Sequence, residues 1–261
     1  MPDTQVAPPA FLQLVAHPLR WELLTHLARS DRTVRELTAL TCQPQNLVSY
    51  HLATLRDAEL VSARQSSADG RDAYYAAALG RIGGLLAATG EALHPGLGLK
   101  PAPNASPRRR QRITRVLFLC TGNSARSPIA EALANVRSGG SVEACSAGSE
   151  PKPLDPLAVR VMRDDHGIDL SRHRATHLST FAKRRFDRVI SLCDRVREVS
   201  PAFPGDPVTA HWSIPDPHAR RRPAAAALRE TARELDDRIQ FLLAELAASR
   251  VRGATTTEEG T

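Results

Sequence analysis

Cysteine is scarce and scattered. Four residues in 261, Cys42, Cys120, Cys145 and Cys193, occur with no Cys-x-x-Cys pair among them. That spacing excludes a disulfide framework and a cysteine-built zinc site, so any thiol that matters acts singly. Long apolar runs are also missing. No stretch approaches the roughly 20 residues that a bilayer-crossing helix needs, and no charged n-region with an apolar h-region opens the chain. A cytoplasmic protein with no membrane partner is expected. Acid is absent from one short segment: residues 101–115 hold five arginines and no Asp or Glu, whereas nine Lys/Arg balance nine Asp/Glu over residues 1–100. The net charge of +7 is therefore concentrated in one place. What is present is 42% hydrophobic content, enough for a good core, and a length that suits about two domains.

The basic segment "PAPNASPRRRQR" lacks apolar periodicity and reads as a linker over 99–113, a solvated hinge or a phosphate-contacting arm. It separates a first domain, 1–98, from a second, 114–250. The final residues, 251–261, read as a polar disordered tail.

In the first domain Phe11, Leu12, Val15, Leu19, Leu23, Leu24 and Leu27 recur at three- and four-residue intervals, and Pro18 suits a first helical turn. "TVRELTALT" and "PQNLVSYHLATLRDA" follow as two helices separated by "CQ". Thr33 is the expected N-cap, with Glu36 as its capping-box partner. Short helix, tight turn and longer helix make a helix-turn-helix. "LVSARQ" and "DAYYAAAL" then alternate as strands around an Asp-Gly turn, which is a wing.

"AHPLRWELLTHL", "TVRELTAL", "NLVSYHLATLRDAELVSARQ" and "GRDAYYAA" resemble the ArsR-type winged-helix repressors over residues 8–93. Gln45, Asn46, Ser49 and Tyr50 fall on the exposed side of the second helix, where amides and hydroxyls meet base edges and phosphates of operator DNA. Arg64 and Arg71 flank the wing. The resemblance further implies a homodimer through the last helix, with Ile82, Leu85, Leu86 and Leu93 exposed. Metalloid sensors of that family often place a Cys-x-Cys pair in the helix before the recognition helix. Here that helix has no cysteine, and Cys42 in the turn reads as a small buried hydrophobe, so no metal is assigned.

The second domain opens on "RVLFLCTGNSARSPIAEAL": an apolar strand, a polar loop, then a helix beginning near Ser127. Cys120 and Arg126 stand at Cys-x5-Arg spacing. A loop of this kind wraps its backbone N–H groups, from Thr121, Gly122, Asn123, Ser124, Ala125 and Arg126, around a tetrahedral oxyanion, and the helix N-terminus adds its positive dipole end. That field favours a thiolate at Cys120. Arg126 can grip two oxygens, Ser127 can donate to the thiolate, Gly122 permits a close or left-handed backbone, and Asn123 can brace the loop. Asp216 in "HWSIPDPHA" supplies an acid for a leaving oxygen.

These pieces, with "SAGSEPKPLDPLAV" and "GIDLSRHRATHL", resemble the low-molecular-weight tyrosine phosphatase superfamily, and within it the arsenate reductases. The resemblance implies an α/β fold with a parallel four-stranded sheet, Cys120 as nucleophile, Arg126 as oxyanion clamp, Ser127 as thiolate partner, Asn123 as loop brace and Asp216 as acid. The local pattern places strands at "RVLFLC", "SVEAC" and "DRVISL" and helices at 127–138, 156–168 and 223–248.

Three departures select among chemistries. Tyrosine phosphatases follow Asp-Pro with a tyrosine, but here His218 and Ala219 follow. Thioredoxin-coupled reductases pass oxidation to a cysteine pair seven residues apart, but seven residues beyond Cys193 stands Ser200. Ala125 occupies a loop position that is often cysteine. Cys193 is thus a candidate resolving thiol without a relay partner, and no cofactor is bound. An external thiol is implied as reductant, mycothiol with a glutaredoxin-like redox partner protein, or thioredoxin. Arginine outnumbers lysine 32 to 3, which is compatible with a mycothiol-using host. Cys145 reads as an inert core thiol. His173 and His177 lack a carboxylate or thiol companion, so no metal is expected.

The reading is a bifunctional transcriptional regulator fused to an arsenate reductase. Two alternatives are a phosphatase fused to a regulator, and a regulator whose phosphatase-like domain senses oxyanion or redox state without catalysis.

Overall fold

The computed structural model describes residues 8–68, 70–94, 97, 113–219 and 223–255. The chain divides into two compact units, residues 1–106 and 107–261. The linker expected at 99–113 lies outside the described residues except for Ile113, as does Asp69 of the expected hairpin turn.

The first unit runs α1 (Ala10–Val15), α2 (Pro18–Leu27), β1 (Arg32–Thr33), α3 (Val34–Thr41), α4 (Gln45–Asp57), β2 (Val61–Gln65), β3 (Ala73–Ala77) and α5 (Leu79–Leu93). His17 caps α2 by accepting from the Leu19 N–H at 3.2 Å, and Pro18 takes the first turn. At α3 the capping box forms in both directions. The Glu36 N–H donates to Thr33 Oγ1 (3.3 Å), and the Thr33 N–H donates to Glu36 Oε2 (2.8 Å). Cys42 closes α3 in the left-handed region (φ 52). It is exposed there, not buried as its residue type suggested, because a tight turn between two helices keeps it at the surface.

α4 buries Val48, His51, Leu52 and Leu55 against Leu23 and Leu37. The small sheet has the order β1-β3-β2 and is antiparallel throughout. β1 escapes a pattern reading because two residues show no alternation. α5 corrects a second expectation: Ile82 and Leu85 pack against this unit's own core, and of the four apolar residues assigned to a partner only Leu86 and Leu93 are exposed.

The second unit runs β4 (Thr114–Cys120), α6 (Arg126–Arg137), β5 (Val142–Gly148), α7 (Pro156–His166), a 3-10 turn (Leu178–Phe181), β6 (Arg188–Ser191), α8 (Asp194–Val199), β7 (Val208–His211) and α9 (Ala224–Thr255). The sheet order is β5-β4-β6-β7, all parallel. Central β4 buries every side chain from Val116 to Cys120, as a strand covered on both faces does. The fourth strand, β7, lies in "VTAH" at the sheet edge. Its first two residues are exposed, which removed the apolar signal. α9 outlasts the expected end at 248 because no proline interrupts "AASRVRGAT", so any tail begins beyond Thr255; residues 256–261 lie outside the described ones.

All four strands finish on one edge of the sheet, at Cys120, Gly148, Ser191 and His211, the edge at which such sheets hold ligands. Gly148 is dictated by packing there. A Cβ on it would lie 2.5 Å from the Thr121 carbonyl oxygen and 2.9 Å from the Asn123 nitrogen.

Candidate active site

The loop after β4 turns straight into α6, so the unpaired N–H groups of the first helical turn face the end of the strand. Cys120 is buried at this junction. Its Sγ lies 2.9 Å from Ser127 Oγ and accepts from the Asn123 backbone N–H at 3.2 Å.

Asn123 is fully buried and organises the loop. The Thr176 N–H, which can only donate, lies 2.8 Å from Asn123 Oδ1 and so fixes the direction of the amide. Nδ2 then donates to Ser127 Oγ (2.9 Å) and to Ser146 Oγ (2.8 Å). Each hydroxyl is left to send its own proton onward. Ser127 aims at the Cys120 sulfur, and Ser146 donates to Glu131 Oε2 at 2.6 Å. His173 completes the cluster, with Nε2 3.3 Å from Asn123 Oδ1 and Nδ1 3.6 Å from Glu131 Oε2. Burial raises the Glu131 carboxyl above its usual range and lowers the His173 imidazole, each toward its neutral form.

The left-handed residue of the loop is Asn123 (φ 45), not Gly122. Asparagine tolerates that region because its amide can bond locally, and Gly122 serves close approach instead, since a Cβ there would lie 3.1 Å from Ser124 Oγ. The segment after β5 backs the loop: the N–H groups of Glu150, Lys152 and Asp155 donate to the carbonyls of Thr121, Gly122 and Ser124 at 2.8–2.9 Å. Ala125 is buried as the residue preceding α6. Arg126, half-buried, donates through Nη1 to the Ile214 carbonyl at 3.1 Å, which ties the loop carrying Asp216 to the cradle. Asp216 is exposed, and its Oδ1 accepts from the His218 N–H at 3.0 Å.

Cys193 precedes α8, and its Sγ lies 3.2 Å from Oγ1 of Thr121, the residue next to Cys120. Ser200 closes the far end of α8. Seven residues at helical rise put positions 193 and 200 about 10 Å apart, beyond disulfide reach while α8 is intact. Cys145 is half-buried, and burial pushes its thiol up. His177 caps the 3-10 turn, accepting from the Ser179 N–H at 3.2 Å. Among the described residues no group of three or more His, Cys, Asp or Glu is placed to hold a metal.

Sequence reasoning missed a buried polar cluster beside Cys193. His211 sits between Ser191 Oγ (2.8 Å from Nδ1) and Asp194 Oδ1 (3.0 Å from Nε2), and Ser213 Oγ donates to the same carboxylate oxygen at 2.8 Å. It joins the ends of β6 and β7 to the start of α8. Asp194→Ala removes the shared acceptor and is expected to lower stability by about 2 kcal/mol, read as a shifted denaturation midpoint with an unchanged slope. An unshifted midpoint would show the cluster to be dispensable. Glu131 was also missed, although it stands four residues beyond Ser127 and so on the same face of α6.

In the first unit Gln45, Asn46, Ser49 and Tyr50 all lie exposed on α4, opposite its buried face; Arg64 is half-buried in β2, and Arg71, just before β3, is exposed.

The family model of low molecular weight phosphotyrosine protein phosphatases matches residues 115–252, and that of bacterial regulatory proteins of the arsR family matches residues 17–63. An arsenate reductase of Halalkalibacterium halodurans is 35% identical over 102 residues, 39% of this chain and 73% of that protein. An arsenate reductase of Brevibacillus brevis is 33% identical over 115 residues, 44% of this chain and 85% of that protein. The solved low molecular weight protein tyrosine phosphatase from T. tengcongensis is 31% identical with a TM-score of 0.44, covering 51% of this chain and 99% of its own. The chain therefore belongs to the low molecular weight phosphotyrosine protein phosphatase family, with a helix-turn-helix of the arsR regulatory family fused ahead of that domain.

Proposed function

We propose that the second unit reduces arsenate with thiols and that the first unit binds operator DNA as a homodimer, so that one chain joins a resistance enzyme to a transcriptional regulator. The domain limits 1–98 and 114–250 are part of this reading. The observation that carries the enzyme assignment is the directed chain from Asn123 through Ser127 to Cys120, placed where α6 begins. It presents donors to a sulfur nucleophile, beside backbone N–H groups and an arginine suited to an oxyanion. Both reductase relatives carry arsenate in their names, and the ring-stacking tyrosine of phosphatases is replaced by His218.

The Cys120 thiolate attacks arsenic, and one oxygen leaves as water with a proton from Asp216 while Arg126 holds the remaining oxygens. An external thiolate then attacks the Cys120 sulfur. The S–As bond breaks, its electron pair passes to arsenic, and arsenite departs, leaving a mixed disulfide for a glutaredoxin-like partner to reduce. Ala125 and Ser200 favour this route over an internal relay. Gln45, Asn46, Ser49 and Tyr50 would face the major groove, with Arg64 and Arg71 on the backbone.

The test is steady-state arsenate reduction by the full chain with mycothiol, glutathione and thioredoxin systems in parallel, alongside aryl phosphate hydrolysis. Turnover is expected with a small-thiol system and not with thioredoxin alone. Turnover driven by thioredoxin would overturn the external-thiol route, and aryl phosphate hydrolysis without arsenate reduction would move the assignment to a phosphatase.

A further inference from the structure

The loop after β7 is fastened to the cradle on both sides of Asp216. Before it, Arg126 holds the Ile214 carbonyl at 3.1 Å. After it, His218 Nε2 lies 2.7 Å from Asp155 Oδ2. A carboxylate can only accept, so Nε2 carries the proton of this bond. Asp155 is itself held by two further hydrogen bonds. It caps α7 by accepting the Leu157 N–H on Oδ1 at 2.8 Å, and its own N–H donates to the Ser124 carbonyl at 2.9 Å. His218 thus reaches a group fixed to the cradle. Only Pro217, with its locked φ, separates His218 from Asp216, and the His218 N–H also holds Asp216 Oδ1 at 3.0 Å. The imidazole-bearing residue and the acid are thus joined both through the chain and by a hydrogen bond.

We propose that His218 and Asp155 form a clasp that positions Asp216 over the cradle, His218 being a positioning residue for the acid step. This rests on the reading that Cys120 attacks a tetrahedral oxyanion with Asp216 as acid. His218 is half exposed, and a surface pair of this kind adds little to folding stability. Its effect is therefore concentrated on where one carboxyl group points.

The experiment compares two leaving groups. Phenyl phosphate releases a phenolate whose conjugate acid has a pKa of about 10 and so needs the acid, whereas 2,4-dinitrophenyl phosphate does not. His218→Ala and Asp155→Ser are expected to slow phenyl phosphate hydrolysis roughly ten-fold in kcat and the dinitrophenyl ester by no more than about two-fold. Serine at 155 still caps α7 but is too short to reach His218. The double variant is expected to be no worse than either single one, and His218→Gln, which keeps an N–H donor, to recover part of the loss. Hydrogen exchange of the His218 and Ala219 amides, both donating to Asp216, is expected to quicken in Asp155→Ser.

Equal slowing of both esters, additive single effects, or quickened exchange with unaltered ester preference would overturn the clasp as a positioning device. Absence of wild-type turnover on either ester and on arsenate would instead remove the proposed function. That outcome would remove the acid step the clasp serves, whereas unchanged amide exchange in Asp155→Ser with wild-type turnover intact would overturn the clasp alone.

Discussion

Cys120→Ser is expected to abolish arsenate reduction and aryl phosphate hydrolysis, a loss of roughly 10⁵-fold or more in kcat, while operator binding in the absence of ligand stays at the wild-type level. The substitution is nearly isosteric at a buried site, so the Asn123 N–H and the Ser127 hydroxyl keep an acceptor and the loop keeps its shape. What changes is the nucleophile. A serine hydroxyl is far from ionised at neutral pH, and no described side chain is placed beside position 120 as a strong base to take its proton. Single-turnover assays with arsenate and an aryl phosphate, with gel-shift titration of operator DNA on the same preparation, check both halves. Retained turnover would remove Cys120 from the mechanism. Lost operator binding would show that the two units depend on one another.

Asn123→Ala is expected to lower kcat by 10²- to 10³-fold and to destabilise the second unit by about 3 kcal/mol. Two separate demands fall on this residue. Its backbone occupies the left-handed region, which costs alanine roughly 1 kcal/mol or more. Its amide serves Ser127, Ser146 and the Thr176 N–H at once, all of them buried or half-buried, and each unpaired group costs free energy. Loss of the amide also frees Ser127 to rotate its proton away from the sulfur. Asn123→Gly separates the two demands. It relieves the backbone and so is expected to regain part of the stability without regaining turnover. Chemical denaturation and kcat measured on both variants decide this, and equal recovery of stability and activity in the glycine variant would place the whole effect in the backbone.

The features legible in the sequence are those whose cause is local. Thr33 and Glu36 lie three residues apart and cap α3 as their spacing dictates. Cys120 and Arg126 bracket one loop, so the cradle could be written down from eight consecutive residues. Illegible features are those whose partner lies far along the chain. Asp155 meets His218 across 63 positions, and nothing near either residue announces the other. His211 and Asp194 sit in an edge strand and a short helix that the sequence pattern does not announce, and their pairing follows only once β6 and β7 are neighbours. Gly122 permitted either a close approach or a left-handed backbone, and it serves the first; Asn123 took the left-handed place because its side chain had enough partners to offset the backbone cost. Ile82 and Leu85 were placed at a partner's surface for a related reason: apolar spacing on α5 marks a face that must be covered, without saying by what.

The single Asn123 amide has a further consequence. Its two protons go to two hydroxyls, one leading to the Cys120 sulfur and the other to Glu131, so the group acts as a splitter between two acceptors. Whatever polarises one branch is felt on the other through shared bonds, with no part of the loop having to move. Substitutions at Ser146 or Glu131 are therefore expected to alter the hydrogen bonding at the Cys120 sulfur, and the network around that sulfur reaches beyond the loop into α6 and β5.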